Sequence, residues 1–293
     1  MDTLSHLGED AVLRRLLPLL TGNGAIIHGA GDDCAVVARD AQWDTLLKTD
    51  AVVEGVHFLR GTEPRLIGRK ALARAVSDVA AMGGIPEHAL ITVMVHPERP
   101  AALLEGIYRG LSALAEQYGI SLAGGETTSL PQDGLAISVA LTGRVEHGRA
   151  VLRSGGRAGD IICVSGKLGG SLESGRHLDF TPRVELARFL VEHGMPPSAM
   201  MDLSDGLGTD LPRLAAACGC GFEVDEKRLP LHAGCTPRQG ICDGEDYELL
   251  MCFPPKLWER VQGTPLPTPV TAIGKLTAEG AQTLPTGWQH FSR

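Results

Sequence analysis

Apolar residues at three- and four-residue spacing open the chain: Val12, Leu13, Leu16, Leu17 and Leu20 fall on one face of a helix expected over Glu9 to Leu20. Shorter runs with strand character follow at Cys34 to Val37, Thr45 to Thr49, Ala89 to Val95 and Leu135 to Thr142. Two longer helical patterns lie between them, at Pro64 to Met82 and Ala101 to Tyr118. The second half repeats the style, with a strand at Asp160 to Ser165, helices near Pro182 to His193 and Thr209 to Cys218, and strands near Phe222, Tyr247 and Val270. The pattern predicts an α+β protein of two units, 1–147 and 148–293, divided in the glycine- and charge-containing stretch from Val145 to Ala158.

Composition narrows this picture. Hydrophobic residues make up 43% and charged residues 21% of the 293. No apolar run approaches the roughly 20 residues that cross a bilayer. The start, Met1-Asp2-Thr3-Leu4, has neither a basic region nor a signal-like apolar core, so a cytoplasmic protein without membrane partners is expected. The net charge of -8 argues against a nucleic-acid partner. Seven scattered cysteines without a Cys-x-x-Cys pair fit a reduced compartment.

The candidate chemistry is acidic. Met201-Asp202-Leu203-Ser204-Asp205-Gly206-Leu207 crowds two carboxylates, a hydroxyl and a glycine between an apolar entry and a helical exit. Gly31-Asp32-Asp33, Thr49-Asp50, Ser77-Asp78 and Gly124-Gly125-Glu126-Thr127-Thr128 repeat the theme of an acid beside a glycine or hydroxyl. Carboxylates gathered in one place repel each other. Several Mg²⁺ ions shared with a polyphosphate would resolve that repulsion, since Mg²⁺ binds through a few carboxylates plus substrate phosphates. Each motif also has an ordinary explanation. Asp32-Asp33 suits a turn or a helix cap, and Asp78 could pair on the surface with Arg74 one helical turn earlier. Arg153 could be a solvated linker charge, Tyr108 a core residue on a helix face, and Trp288 a hydrophobic plug near the end.

Six blocks in order resemble the thiamine-monophosphate kinase family, within the superfamily of aminoimidazole ribonucleotide synthetase, selenophosphate synthetase and the hydrogenase-maturation dehydratase. They are Gly31-Asp32-Asp33-Cys34-Ala35; Thr49-Asp50 with Glu54-Gly55-Val56-His57-Phe58; Lys70-Ala71-Leu72-Ala73 with Ser77-Asp78-Val79-Ala80-Ala81-Met82-Gly83; Arg153-Ser154-Gly155; Asp202 to Leu207; and Gly244-Glu245-Asp246-Tyr247-Glu248-Leu249. The resemblance implies an aminoimidazole ribonucleotide synthetase-like fold. Its N-terminal sheet would form a barrel at a homodimer interface, and its C-terminal half an α/β sandwich. It also implies Mg²⁺-dependent transfer of the ATP γ-phosphoryl group directly to thiamine monophosphate, giving thiamine diphosphate and ADP without a covalent intermediate on the protein.

Carried over by position, the implied metal ligands are Asp33, Thr49, Asp50, Asp78, Glu126, Asp202 and Asp205, with Lys48 standing where the family usually has a serine ligand. Gly125, Glu126, Arg153 and Ser204 would contact ATP; His57, Glu245 and Trp288 would contact the acceptor. Besides Lys48, the chain departs from the family pattern at Glu126 (usually aspartate), Asp243 (usually glycine) and Val76 (often asparagine). Two rival expectations follow from these departures: a superfamily enzyme with another small-molecule acceptor, and a nucleotide-binding regulatory protein without catalysis.

Overall fold

Pro64 has no backbone N–H to leave unpaired at the first position of a helix, and Glu63 just before it accepts the Leu66 N–H through its side chain. The helix so started, Pro64–Ala81, is the axle of the computed structural model, which describes residues 3–288. The helices are α1 (Leu4–Leu7), α2 (Glu9–Leu16), α3 (Pro64–Ala81), α4 (Ala101–Tyr118), α5 (Ser171–Ser174), α6 (Arg176–Asp179), α7 (Val184–Glu192), α8 (Leu207–Ala217), α9 (Pro237–Cys242) and α10 (Pro255–Gln262). Helix α3 is buried almost all round from Ile67 onward, because it packs on the first sheet, on α4 and on the second half of the chain. Its crossing with α4 is close enough that a Cβ on Gly68 would lie 1.9 Å from the Ile107 carbonyl oxygen.

The first sheet comprises β1 (Ile26–His28), β2 (Ala35–Ala38), β3 (Trp43–Val53), β4 (Ile85–Val95), β5 (Ser121–Ser129) and β6 (Leu135–Glu146), ordered β1-β2-β3-β6-β4-β5. All neighbours are antiparallel except β4 and β5, which are parallel and joined through α4, as a parallel pair requires. The sheet is open, with β1 and β5 as its edges. One face meets α3 and α4. On the other, Leu47, Val53 and Leu90 are exposed.

The second sheet comprises β7 (Ile161–Ser165), β8 (Ala199–Asp202), β9 (Gly221–Val224), β10 (Leu249–Phe253) and β11 (Val270–Thr277), ordered β8-β10-β7-β11-β9 and antiparallel throughout. Two cores sandwich it. One gathers Leu207, Leu211 and Leu214 of α8, and the other Leu186, Ala187 and Leu190 of α7 with Val261 of α10. The halves interlock: Ala80 and Ala81 of α3 belong to the second of these cores, while Phe180 and Tyr247, stacked 3.9 Å apart, belong to the core under the first sheet.

The first predicted helix ends early. Helix α2 stops at Leu16 and a 3₁₀ turn covers Leu17–Leu19, since Pro18 cannot donate the next helical hydrogen bond. Among the described residues no helix is long and apolar enough to cross a membrane.

Candidate active site

The period-2 alternation of β3 puts Leu46, Lys48, Asp50 and Val52 on the face toward α3, and Leu47, Thr49, Ala51 and Val53 on the other. Helix α3 offers Arg74 and Asp78 one turn apart. They do not pair with each other. Lys48 Nζ lies 2.7 Å from Asp78 Oδ1, and Arg74 Nε donates to Asp50 Oδ2 at 3.1 Å. Two ion pairs therefore cross from strand to helix, which removes the simple surface pairing of Asp78 with Arg74. The exposed Thr49 side chain faces away from both.

Asp78 closes a group with Asp33, in the turn before β2, and Asp202, at the end of β8. Each of the three is buried, and each offers a carboxylate oxygen within 4.8 Å of the others. Ser77 donates to Asp202 Oδ2 at 2.6 Å; Arg153 Nη2 donates to Asp33 Oδ1 at 2.5 Å, and its backbone N–H to Asp32 Oδ1 at 2.6 Å. The other Asp33 oxygen, Oδ2, is buried and has no hydrogen-bond partner, as is Arg153 Nε. Burial, then the nearby Asp33 carboxylate, push Asp202 up to about 6. Asp78 is raised well above the usual carboxylate range by burial, against the opposing pull of Lys48 and with further repulsion from Asp202. A hard divalent cation fits this donor set: three buried carboxylates, mutually repelling, with one oxygen left open.

The other predicted ligands lie outside this group. Asp205 sits at the start of α8, held by Arg213 at 2.5 Å, with its backbone N–H on Asp210 Oδ2 at 3.0 Å. Gly125 and Glu126, expected to contact ATP with Glu126 also at a metal position, lie with Gly124 in the exposed edge strand β5. The absence of a side chain at Gly125 is explained by the strand itself, since a Cβ there would lie 1.8 Å from the Ile91 carbonyl oxygen.

Beside the carboxylate group a cleft of about 280 Å³ is lined by Val56, His57, Arg74, Ser204, Asp205, Asp243, Gly244, Glu245, Tyr247 and Trp288, among others. All three predicted acceptor residues are on its wall. Arg74 lines the cleft while bonding Asp50 of β3. Trp288 is 51% exposed, with its backbone N–H on the Asp205 carbonyl at 2.8 Å, so it is a rim residue and not a core plug. Glu245 and Tyr247 adopt positive φ (62° and 51°), an uncommon conformation for residues with side chains. The turn is pinned by Glu245 N–H to Ser204 O at 2.7 Å and Tyr247 N–H to Leu203 O at 2.9 Å.

One residue behind the cleft had no role assigned from sequence. Lys70 is fully buried, and its ammonium reaches Glu245 Oε1 at 2.7 Å, Glu245 Oε2 at 2.8 Å and the His57 carbonyl at 2.6 Å. Burial, only partly countered by Glu245, pulls Lys70 down to about 8. The available signal was its company: a lysine between Gly68 and the run Ala71-Leu72-Ala73, inside a helix otherwise buried there. Of the departures, Val76 is core, and Asp243 accepts the Gly170 N–H at 2.8 Å from the cleft wall. Tyr108 is neither core nor near this site: it is 38% exposed, over a groove with Arg65 and Glu105.

Comparison with known proteins follows the same outline. The family profile described as AIR synthase related protein matches in both parts, the N-terminal domain over residues 31–145 and the C-terminal domain over 158–285. The thiamine-monophosphate kinase of Rhodopirellula baltica is 37% identical over 85% of this chain and 83% of its own length; that of Bacillus subtilis is 31% identical over 91% and 90%. The solved structure described as AaThiL complexed with AMPPCP and TMP superposes with a TM-score of 0.87 at 31% identity, covering 99% of both chains. Escherichia coli HypE, a hydrogenase maturation protein, shares the fold at 22% identity and a TM-score of 0.68, covering 92% of this chain and 91% of its own. The chain belongs to the AIR synthase related family and, within it, to the thiamine-monophosphate kinases.

Proposed function

We propose that this protein transfers the γ-phosphoryl group of ATP directly to the phosphate of thiamine monophosphate, giving thiamine diphosphate and ADP. The observation that carries the reading is the placement of His57, Glu245 and Trp288 on one cleft whose wall residue Arg74 holds Asp50 of β3, the strand whose Lys48 pairs with Asp78 of the buried group Asp33, Asp78 and Asp202. Transfer between two anionic phosphates needs alignment and charge neutralisation more than a nucleophile on the protein. Mg²⁺ supplies that neutralisation when bound. Asp33, Asp78 and Asp202 would hold it, with Asp50, Thr49, Asp205 and Glu126 as the remaining family positions.

The protein's own groups divide the rest of the work. Asp33 Oδ2 and Arg153 Nε, both buried and unpartnered, offer one acceptor to metal and one donor to nucleotide. Gly125, Glu126 and Ser204 complete the nucleotide positions. On the acceptor side, the Trp288 face suits a cationic thiazolium ring, and Lys70 fixes Glu245 and the His57 backbone from behind.

The working unit is a homodimer in the cytoplasm, where free thiols are stable. A second copy covers the outward face of the first sheet at Leu47, Val53 and Leu90, and the paired open sheets form the interface barrel. The domains divide as 1–147 and 148–293.

The test is formation of thiamine diphosphate and ADP by the purified protein given Mg²⁺, ATP and thiamine monophosphate. Equal amounts of both products, lost in Asp50→Asn, are the expected result. ATP binding with neither product would overturn it in favour of another acceptor or a regulatory role.

A further inference from the structure

We infer that the Lys48 ammonium is a resident cation of the transfer site, taking the place of one divalent ion on Asp78, so that the carboxylate group binds one metal ion fewer than its acids would otherwise hold. The inference rests on the phosphoryl-transfer reading for its purpose, and on this chain's geometry for its content.

Lys48 is not a loose surface charge. Its stem leaves β3 between Leu46 and Val52, both buried, and β3 is paired on both sides, with β2 and β6. Its ammonium lies 2.7 Å from Asp78 Oδ1, at a site where the Asp78 side chain is 9% exposed. The neighbouring cation is committed elsewhere, since Arg74 is held by Asp50 and the Ala51 carbonyl. Lys48 is thus the partner that Asp78 has, and a charge-assisted bond of this length is among the stronger ones.

The oxygens of the group are consequently unequal. Asp78 Oδ1 is taken by Lys48, Asp202 Oδ2 by Ser77 and Asp33 Oδ1 by Arg153, while Asp33 Oδ2 is open. Three carboxylates against two cations, Lys48 and Arg153, leave one negative charge. That remaining charge suits one ion, centred on the open Asp33 Oδ2. A further divalent ion on Asp78 Oδ1 would have to displace the ammonium or sit against it, and two positive charges in a partly dry site repel strongly. An ion pair that served only to stabilise the fold would leave the number of bound metals unchanged when removed.

The experiment counts Mn²⁺ ions bound per chain, with Mn²⁺ alone as the probe and the free ion followed by electron paramagnetic resonance. The full chain, Lys48→Met, Lys48→Ser and Lys48→Arg are compared after a thermal melt confirms folding. The expected result is one additional Mn²⁺ in Lys48→Met or Lys48→Ser, or tightening of the first ion by about ten-fold or more, with Lys48→Arg matching the original protein. Either neutral variant suffices if the other fails to fold. An unchanged count and affinity in a folded neutral variant, or an extra ion in Lys48→Arg as well, overturns the inference. The count needs no nucleotide, so a failed kinase reading shows itself separately, as absent thiamine diphosphate.

Discussion

Lys48 and Lys70 both reach a carboxylate from a buried position, yet their surroundings push them in opposite directions. Burial opposes the charge on each. Around Lys48, the carboxylates of Asp78, Asp50 and Asp33 outweigh that penalty, and its pKa stands above the ordinary lysine value. Around Lys70, Glu245 is the main opposing carboxylate, burial prevails, and the pKa falls to about 8. The difference separates the two regions of the site. The group around Asp78 has more acid than its internal cations balance, a charge state that suits a metal ion, whereas Glu245 in the cleft is matched by the single cation Lys70.

Changing one acid in the first region should have the largest effect. Asp202→Asn removes a buried carboxylate from the group while leaving the cleft wall intact. Turnover should fall by about 10²–10³-fold, the usual scale for losing one preorganised electrostatic contact in a transfer site, with KM for thiamine monophosphate within a few-fold of its original value. Steady-state kinetics that showed the reverse split would erase the distinction between the regions.

Lys70→Met strikes the second region. It leaves Glu245 without its ammonium and the His57 carbonyl without its donor, at a site where Glu245 keeps 17% exposure and can still reach water. The cost should therefore lie near the lower end for a broken buried pair, about 3 kcal/mol in urea unfolding, with a raised acceptor KM. Trp288→Ala tests the rim alone. The ring is half exposed, so losing its face should raise acceptor KM by about ten-fold with turnover little changed.

Much of this arrangement is written in local sequence. Helix α4 coincides with its 3.6-period pattern over Ala101–Tyr118, and the acids of the site each announce themselves beside a glycine or hydroxyl. Strand β5 escapes such a reading because an exposed edge strand carries no apolar alternation: Gly124-Gly125-Glu126-Thr127-Thr128 shows only an acid beside glycines and hydroxyls. Strand β8 escapes for the opposite reason, being buried on both faces and uniformly apolar up to Asp202. The pairing of charges is the least legible. Lys48 with Asp78, Arg74 with Asp50 and Lys70 with Glu245 join residues up to 175 positions apart, and local pattern suggests the wrong partner for Asp78.

The contrast between the two lysines also has a pH signature, the smallest effect of the set. From about pH 8 to 10.5, folded Lys70 has released a proton that the unfolded chain still holds. Unfolding in this window takes up a proton, so the contribution of Lys70 to stability increases with pH, by about 1 kcal/mol between pH 8 and 9. Lys48 runs the other way. Its folded value lies above the unfolded one, so its contribution is fully present below about 10.5 and declines only at higher pH. Between pH 8 and 9 the slope should come from Lys70 alone of the two. Urea unfolding of the original protein and Lys70→Met at these two pH values isolates it: the stability difference between them should widen at pH 9. A difference that stays the same would mean that Lys70 keeps its proton through this range, and that the Glu245 pairing is strong enough to place it with Lys48.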